Sequence, residues 1–281
     1  MLTVDIVKVW HAGIENAEVL VPHIEECDVY APENTLSTEV NSSALERELY
    51  RHSTSGMDSL AFERKLRSDF KDRPPRAREY VVAEYMNLFR TQKPIFFVER
   101  FDPAKADKID KIKAGFDFNT SKGFSFLADS DVDAYYGYMK RAEDKLYEAT
   151  KKRDQHIGSV LDRAEFQIRK KYPQLQNKNP IKLAVRVGWA HRPEIYTSVP
   201  TKIHTHLSEP TNHWDKFRVD LYKDGQPPKK LDDGLKLLLL RVGAKTLSDA
   251  PRHPLQLTPE QISTMSLDEL TKVIRKTALS K

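Results

Sequence analysis

The stretch Lys151–His191 reads KKRDQHIGSVLDRAEFQIRKKYPQLQNKNPIKLAVRVGWAH, and it contains the elements that decide the fold. Its first half has apolar residues at helical spacing and ends at Pro173, which predicts a helix. A polar linker follows, and then the apolar run Ile181–Val187 predicts a strand that is buried on both faces. Gly188 and His191 come directly after that strand. The stretch therefore predicts half of an α/β unit with a reactive side chain where the strand ends.

The start of the chain predicts a similar arrangement. Val4–Trp10 is a strand-like run that leads into His11, and a helix capped by Asn16 follows. Asp28–Glu33 then predicts a second strand with a carboxylate at its end. Such a β-α-β opening predicts two parallel strands joined by a right-handed crossover. The side chains of His11 and Glu33 would then leave the same edge of the sheet, where ligands bind in open α/β folds.

The whole chain predicts an α/β fold with a mixed, mostly parallel central sheet covered by helices. A charged helical insertion is predicted over about 37–92, and a long helical tract over about 129–172. We expect residues 1–255 to form a single domain and residues 256–281 to form a C-terminal helical tail.

Shorter segments complete the predicted architecture. The runs Pro94–Glu99 and Phe217–Tyr222 predict two further strands, whereas 115–126 and 201–206 predict irregular chain. In the tail, Ser266–Glu269 has the spacing of a capping box, which marks the beginning of a helix.

Composition limits the class of protein. The 281 residues are 39% hydrophobic and 31% charged, which is typical of a water-soluble globular protein. No apolar run is long enough to span a bilayer, and the N-terminus has no basic leader or cleavage site, so we expect a cytoplasmic protein without a membrane partner. The net charge is +5, but the 46 basic residues are interleaved with 41 acidic ones, which disfavours nucleic-acid binding. The single cysteine, Cys27, fits a reducing compartment and is expected to pack in the core.

One cation interrupts the apolar face of the helical tract at 129–172. Arg153 stands four residues from Ala149 and four from Ile157, where the pattern predicts an apolar side chain. Burying an arginine is costly unless it is paired. Either Arg153 forms a structural salt bridge or reaches solvent, or it points at the site and binds a carboxylate or a substrate oxygen. Gly158, one turn later, would let another segment approach the helix closely.

Two similar short motifs end the predicted strands. The second reads GWAH at 188–191, and the first reads KVWH at 8–11, with Lys8 where the second has glycine. Glu33 follows the first crossover helix, and Arg153-Asp154 precedes the second motif. This order resembles the Tiki/TraB superfamily, which includes erythromycin-esterase-like and ChaN-like proteins. Its members carry two strand-end Gly-x-x-His motifs, an early glutamate, and a helix with Arg-Asp or Arg-Asn.

The likeness covers residues 4–33 and about 151–200 and hardly extends to the middle of the chain. The superfamily includes metal-dependent peptidases, esterase-like hydrolases and haem-binding members. The resemblance therefore implies an α/β hydrolase that cleaves a peptide or ester bond in a peptide or small-molecule substrate.

The resemblance also implies a site and a cofactor. His11, Glu33 and His191 would hold a divalent metal ion, which lowers the pKa of bound water and polarises a carbonyl. Arg153 would bind or polarise the substrate. Without a metal, one histidine could activate water as a general base while Glu33 fixes its tautomer. Alternatively, the two histidines are core residues whose hydrogen bonds are satisfied.

Two other functions fit the same sequence. A non-catalytic protein of the same fold could hold haem or another ligand, and the missing glycine at Lys8 supports this alternative. Tyr135-Tyr136 could then ligate haem, although the pair fits core packing at least as well. The chain could also be a basic, helix-rich interaction protein with no small-molecule site. The sequence leaves the substrate, the metal and the oligomeric state open.

Further polar residues are candidates for the same or another site. Glu99 leaves its predicted strand at the same edge as Glu33 and could join it. His204 and His206 would lie on one side of an extended segment, and His213 follows. This spacing can bind zinc, but it also marks a solvated loop.

Overall fold

The computed structural model describes residues 1–9, 14–33, 58–72, 75–206, 213–222, 226–250, 253 and 255–278. Its strands are β1 Leu2–Val9, β2 Val29–Ala31, β3 Ile181–Gly188 and β4 Thr201–His206. Its α-helices are α1 Ile14–Glu18, α2 Val21–Glu26, α3 Ser59–Asp69, α4 Pro75–Thr91, α5 Pro103–Ala128, α6 Val132–Lys171, α7 His213–Leu221, α8 Asp233–Ser248, α9 Pro259–Thr264 and α10 Leu267–Ala278. Short 3-10 helices at Pro173–Leu175 and Pro193–Tyr196 flank β3.

The four strands form one parallel sheet in the order β2-β3-β1-β4. β1 lies inside the sheet and pairs with β3 along its whole length, and with β4 from Val4 to Val9. The predicted α/β fold with a helix-covered sheet is therefore confirmed. All pairings within the described sheet are parallel. The predicted strand Phe217–Tyr222 is wrong, because it lies almost entirely in helix α7.

Both faces of the sheet are buried, as expected of parallel strands. One face packs against helices α1 to α4, and the other packs against the part of α6 that begins at Lys151. The predicted apolar stripe of α6 is fully buried there, at Ile157, Leu161, Ala164 and Ile168. Each of the larger side chains in this stripe contributes about 1.5–3 kcal/mol to stability by its burial.

The chain divides into two compact units. The first comprises Met1–Asp107 and Lys151–Ser208 and contains the whole described sheet. The second comprises Lys108–Thr150 and Glu209–Lys281, and its described elements are helices. The single domain over 1–255 stays a prediction, because compactness alone does not show which part of a chain folds independently. In the ranges described above, no helix combines the length and the apolar character needed to cross a membrane.

The predicted helical regions are confirmed where they are described. Helices α3 and α4 occupy the later part of the insertion at 37–92, and residues 37–57 of it lie outside the described residues. The tract at 129–172 is the single helix α6. The prediction of irregular chain over 115–126 is wrong, because these residues belong to α5. Gly123 allows close packing there, since a Cβ atom would lie 2.9 Å from the sulfur of Met139.

Two other local predictions need correction. The predicted strand Pro94–Glu99 forms only one parallel bridge, between Ile95 and Tyr30 of β2. The chain beyond this bridge is irregular, although it stays buried beside the sheet as far as Glu99. Conversely, 201–206 is regular, because it pairs with β1 as strand β4. An edge strand keeps many polar side chains, and this made it resemble a loop in the sequence.

The predicted capping box lies at the start of α10, the later of the two described helices in the tail. The backbone N–H of Ser266 donates to Oε2 of Glu269 at 2.8 Å, and the N–H of Glu269 donates to Oγ of Ser266 at 3.3 Å. The helix that follows, α10, buries Leu270 and Ile274 and packs on α8. The tail helix is therefore docked within its unit.

Candidate functional site

Five charged or titratable side chains of the first unit converge where the strands end. Glu33 follows β2, His191 follows β3, and Glu99 follows the segment beside β2, while Arg153 and Asp154 come from α6. Four of these side chains are buried, and Arg153 is 16% exposed. Charged groups are rarely buried in such numbers unless they pair with one another.

Glu33 connects the ends of β2 and β3. Its Oε2 atom accepts a hydrogen bond from the backbone N–H of Gly188 at 2.5 Å, and its Oε1 atom accepts one from Nη2 of Arg153 at 2.5 Å. Its main-chain carbonyl accepts a hydrogen bond from Nη2 of Arg186 at 3.1 Å. Hydrogen bonds to a charged acceptor are about twice as strong as neutral ones. The carboxylate is therefore held by a strand end and by helix α6 together.

Arg153 pairs with two glutamates. Its Nε and Nη2 atoms donate to the two carboxylate oxygens of Glu99 at 2.7 and 3.0 Å, and Nη2 also reaches Glu33. Burial lowers the pKa of Arg153, but the charges of Glu99 and Glu33 outweigh burial and raise this pKa above its ordinary value. Arg153 therefore forms a structural salt bridge. The same bridge brings it into contact with Glu33, a residue of the predicted site.

The ring of His191 lies between two carboxylates. Its Nδ1 atom is 2.5 Å from Oδ1 of Asp154, and its Nε2 atom is 3.4 Å from Oε1 of Glu33. The backbone N–H of Arg192 donates to the other oxygen of Asp154 at 2.9 Å and fixes that carboxylate. Burial and the charge of Arg153 lower the pKa of His191, but Glu33 and Asp154 outweigh them and raise it to about 9. The imidazole therefore carries a proton at neutral pH.

A second ion-pair network lies on the other face of the sheet. Arg186 of β3 donates to the two oxygens of Glu84 on α4 at 2.9 and 2.7 Å. The hydroxyl of Tyr30 donates to Oε1 of the same glutamate at 2.7 Å. Nη1 of Arg186 is also 3.6 Å from Oε2 of Glu33, so this network adjoins the candidate site.

The short helix Pro193–Tyr196, which follows His191, is held from two sides. Lys8 of β1 places its Nζ atom 2.5 Å from Oε1 of Glu194. This lysine stands where the resemblance predicts glycine. Gly158 of α6 meets the other side, where a Cβ atom would lie 2.4 Å from the carbonyl oxygen of Tyr196. The predicted close approach at Gly158 is therefore confirmed.

The structure brings together three of the four predicted site residues. Glu33, Arg153 and His191 meet at the sheet edge, and Glu99, which was a further candidate, joins them through Arg153. His11 lies outside the described residues, so its position stays a prediction.

Sequence reasoning missed three participants. Asp154 was noticed only as the neighbour of Arg153, yet it makes the shortest contact with His191. Arg186 and Glu84 were not singled out, although each is a charge within an apolar run. The same signal had identified Arg153, and it could have found these two residues.

The remaining candidates lie elsewhere. His204 and His206 are on β4, near His23 of α2, and His213 belongs to the second unit. Cys27 packs in the core, where burial raises the pKa of its thiol to about 11 and leaves it unreactive at neutral pH.

Tyr135, one of the tyrosines considered for haem, is a core residue of the second unit. It is fully buried, and its hydroxyl donates to the carbonyl of Leu239 at 2.8 Å. Its hydroxyl therefore already serves a structural hydrogen bond.

The described donors do not fit the metal ion that the resemblance implies. Both carboxylate oxygens of Glu33 accept hydrogen bonds from protein groups, and both ring nitrogens of His191 lie beside carboxylate oxygens, of Asp154 and of Glu33. Within the described ranges, no three histidine, cysteine, aspartate or glutamate side chains are arranged to hold a metal ion. A metal centre that includes His11 therefore stays a prediction.

Comparison of the chain with protein-family models, with curated proteins and with solved structures gives no match. The assignment to the Tiki/TraB superfamily accordingly rests on the motif at 188–191, on Glu33 and on the Arg153-Asp154 pair, and it stays a prediction.

Proposed function

We propose that the protein is a hydrolase of the Tiki/TraB type that cleaves a peptide or ester bond, with His191 as its proton-transfer group. The observation that carries this proposal is the buried imidazole between two carboxylates, with Asp154 2.5 Å from Nδ1 and Glu33 3.4 Å from Nε2. A carboxylate that orients a histidine in this way supports acid–base catalysis in many hydrolases.

The proposed reaction consumes one water molecule per bond cleaved. Water adds to the carbonyl carbon of the substrate, and the bond from that carbon to the leaving oxygen or nitrogen breaks. Protonated His191 gives its Nε2 proton to the leaving group, and the surplus proton of the attacking water restores the imidazolium. Asp154 engages Nδ1, so Nε2 is the nitrogen that transfers the proton.

The other charged residues have supporting roles in this proposal. Glu33 stabilises the imidazolium, and Arg153 positions Glu33 through the bonds it makes to both glutamates. Arg153 is also the most exposed of the five side chains, at 16%, and is therefore the one best suited to bind a substrate oxygen.

A second candidate function is ligand binding without turnover by a protein of the same fold. The observation that favours it is the Lys8–Glu194 ion pair, which occupies the position where the resemblance predicts a catalytic glycine motif. In this case the charged cluster would bind a ligand such as haem and would transfer no proton.

Turnover by purified full-length protein separates the two functions. Generic ester and peptide substrates are compared for wild type, His191→Ala and the control His213→Ala, which alters a histidine of the second unit. Loss of the proton-transfer group should slow hydrolysis by about 10²–10⁴-fold, while the control should retain the wild-type rate. Equal rates for wild type and His191→Ala would rule out the proposed mechanism.

Elemental analysis and treatment with a chelator test the predicted metal in the same samples. A metal that co-purifies with wild type, is needed for turnover and is lost in His191→Ala would support the metal centre. Turnover that survives chelation would support the metal-free mechanism. An inactive wild type that shows a Soret band with haem would support the binding function.

A further inference from the structure

Three histidines that the proposed reaction does not use gather beside the edge strand. His204 and His206 alternate with Thr205 along β4, and their side chains share the face on which α2 carries His23. The ring of His23 lies 4.6 Å from that of His204 and 5.4 Å from that of His206, measured between ring centroids.

The spacing of two ring nitrogens is the informative feature. Nε2 of His23 and Nε2 of His206 are 3.2 Å apart. One proton shared between neutral imidazoles can account for this distance. A metal ion can account for it equally well, because tetrahedral zinc with Zn–N bonds of about 2.0–2.1 Å separates its nitrogen ligands by about 3.3 Å. A cation that replaces the shared proton would therefore need little movement of these two rings.

His204 can supply a third nitrogen. Its Nε2 atom is buried, has no hydrogen bond to a described residue, and lies 3.5 Å from Oδ1 of Asp5. As the side chains stand, the three rings do not converge on one point, so the metal site is incomplete in this arrangement. Rotation of His204 about its side-chain bonds would turn one of its nitrogens toward the other two.

Burial and the neighbouring imidazoles favour neutral rings in this cluster. Burial, then His204 and His206, lowers the pKa of His23, and burial followed by His204 lowers the pKa of His206. Neutral imidazole is the form that binds metal ions. Asp5 of β1 and Glu26 of α2 are the carboxylates that act on His23, and they would offset the charge of a bound cation.

We propose that His23, His206 and His204 form a binding site for a divalent transition-metal ion of the zinc type, separate from the candidate site at His191. Imidazole ligands favour zinc, copper and nickel over magnesium and calcium, which prefer oxygen. Water would complete the coordination. The bound ion would connect helix α2 to the edge strand β4, and it would stabilise the folded chain by an amount that grows with the logarithm of the ion concentration divided by its dissociation constant.

Titration of the full chain with Zn²⁺, and with Co²⁺ as a spectroscopic probe, tests this site. Wild type should bind one ion per chain, and its unfolding temperature should rise with Zn²⁺ but not with Mg²⁺. The double variant His23→Gln/His206→Gln should bind at least about tenfold more weakly, since loss of even an outer-shell partner costs about 10–100-fold. His204→Gln should weaken binding to a smaller extent.

Two control variants separate this site from other histidines. His191→Ala and His213→Ala should bind Zn²⁺ as wild type does. The proposal is overturned if the double variant binds as tightly as wild type, or if binding is lost in His191→Ala instead. The unfolding temperature of each variant without metal verifies that it is folded. Because the readout is metal binding, failure here is distinguishable from failure of the proposed hydrolase.

Discussion

Asp154 and His191 lie 37 residues apart in the chain, and their side chains meet at 2.5 Å beyond the end of β3. Glu33 lies near the opposite ring nitrogen, so a single imidazole is shared between two negative charges. This arrangement favours the protonated ring and makes His191 a proton donor in its resting state.

Stability should depend on pH through His191. Its pKa in the folded chain is about 9, above the ordinary value of 6.5. A raised pKa contributes stability that is fully present below about pH 6.5 and is lost as the pH rises through about 9. We expect this contribution, at most about 3 kcal/mol, to disappear across that window in wild type and to be absent in His191→Gln. Urea unfolding at a series of pH values measures this contribution. If the free energy of unfolding had the same pH dependence in the two proteins, the prediction would be contradicted.

Replacing Asp154 by asparagine should lower the pKa of His191, because the carboxylate charge is removed while the shape is kept. If His191 transfers the proton, the alkaline decline of the rate should move to lower pH in Asp154→Asn. Titration of the ring by NMR measures the pKa directly. Asp162→Asn is the matched control, because Asp162 lies on the same helix and bonds Thr197 and Ser198 instead. An unchanged pKa in Asp154→Asn would argue against the pairing.

Replacing Arg153 by methionine should destabilise the fold by about 3–5 kcal/mol, because it leaves the buried carboxylates of Glu33 and Glu99 without their shared cation. Arg153→Lys should be intermediate, since lysine cannot make the bidentate contact. Arg163→Met is the control. Arg163 is exposed on the same helix, and its loss should change the free energy of unfolding by less than about 0.5 kcal/mol. Denaturant unfolding measures the stability of all three variants. If Arg153→Met lost no more stability than Arg163→Met, the ion pairs of Arg153 with Glu33 and Glu99 would not stabilise the fold.

Replacing each of two glycines of α6 by alanine should change the stability of the fold in opposite directions. In Gly158→Ala the new methyl group meets the backbone of Tyr196 at 2.4 Å, so we expect a loss of about 1–3 kcal/mol. In Gly137→Ala the methyl group's nearest neighbour is Nη1 of Arg141 at 3.5 Å, an ordinary contact, so the better helix propensity should stabilise by up to about 1 kcal/mol. Thermal unfolding compares the two variants. Equal shifts of the unfolding temperature would show that Gly158 and the backbone of Tyr196 are not in tight contact.

Much of the sheet could be predicted, because local patterns determine it. Val4–Val9 and Ile181–Val187 are mostly apolar and show little alternation between apolar and polar residues, so they predict a parallel, doubly covered sheet. The strand predicted over Phe217–Tyr222 was wrong, because its alternating pattern fits a helix as well as a strand. Phe217 and Leu221 also lie one helical turn apart, and over so few residues both periods fit.

The site was only partly predictable for a different reason. Arg153 could be recognised because it interrupts an apolar stripe, and His191 because it ends a strand. Which carboxylate each one meets depends on contacts between distant segments, and no local pattern encodes them. Asp154 illustrates the point, since the sequence shows it beside Arg153 while the structure turns it to His191.

The position of β1 inside the sheet has a consequence for biosynthesis. Leu2 pairs with Ile181 and Val4 pairs with Thr201, so β1 is made long before its partner strands β3 and β4. At roughly 5–20 residues per second, the ribosome takes on the order of ten seconds or more to supply them. Throughout that interval both edges of a strand that is mostly buried in the folded sheet lack these partners, and exposed strand edges invite aggregation. The nascent chain should therefore need protection until β3 and β4 have been made, and a chain stopped before Ile181 should not assemble this sheet.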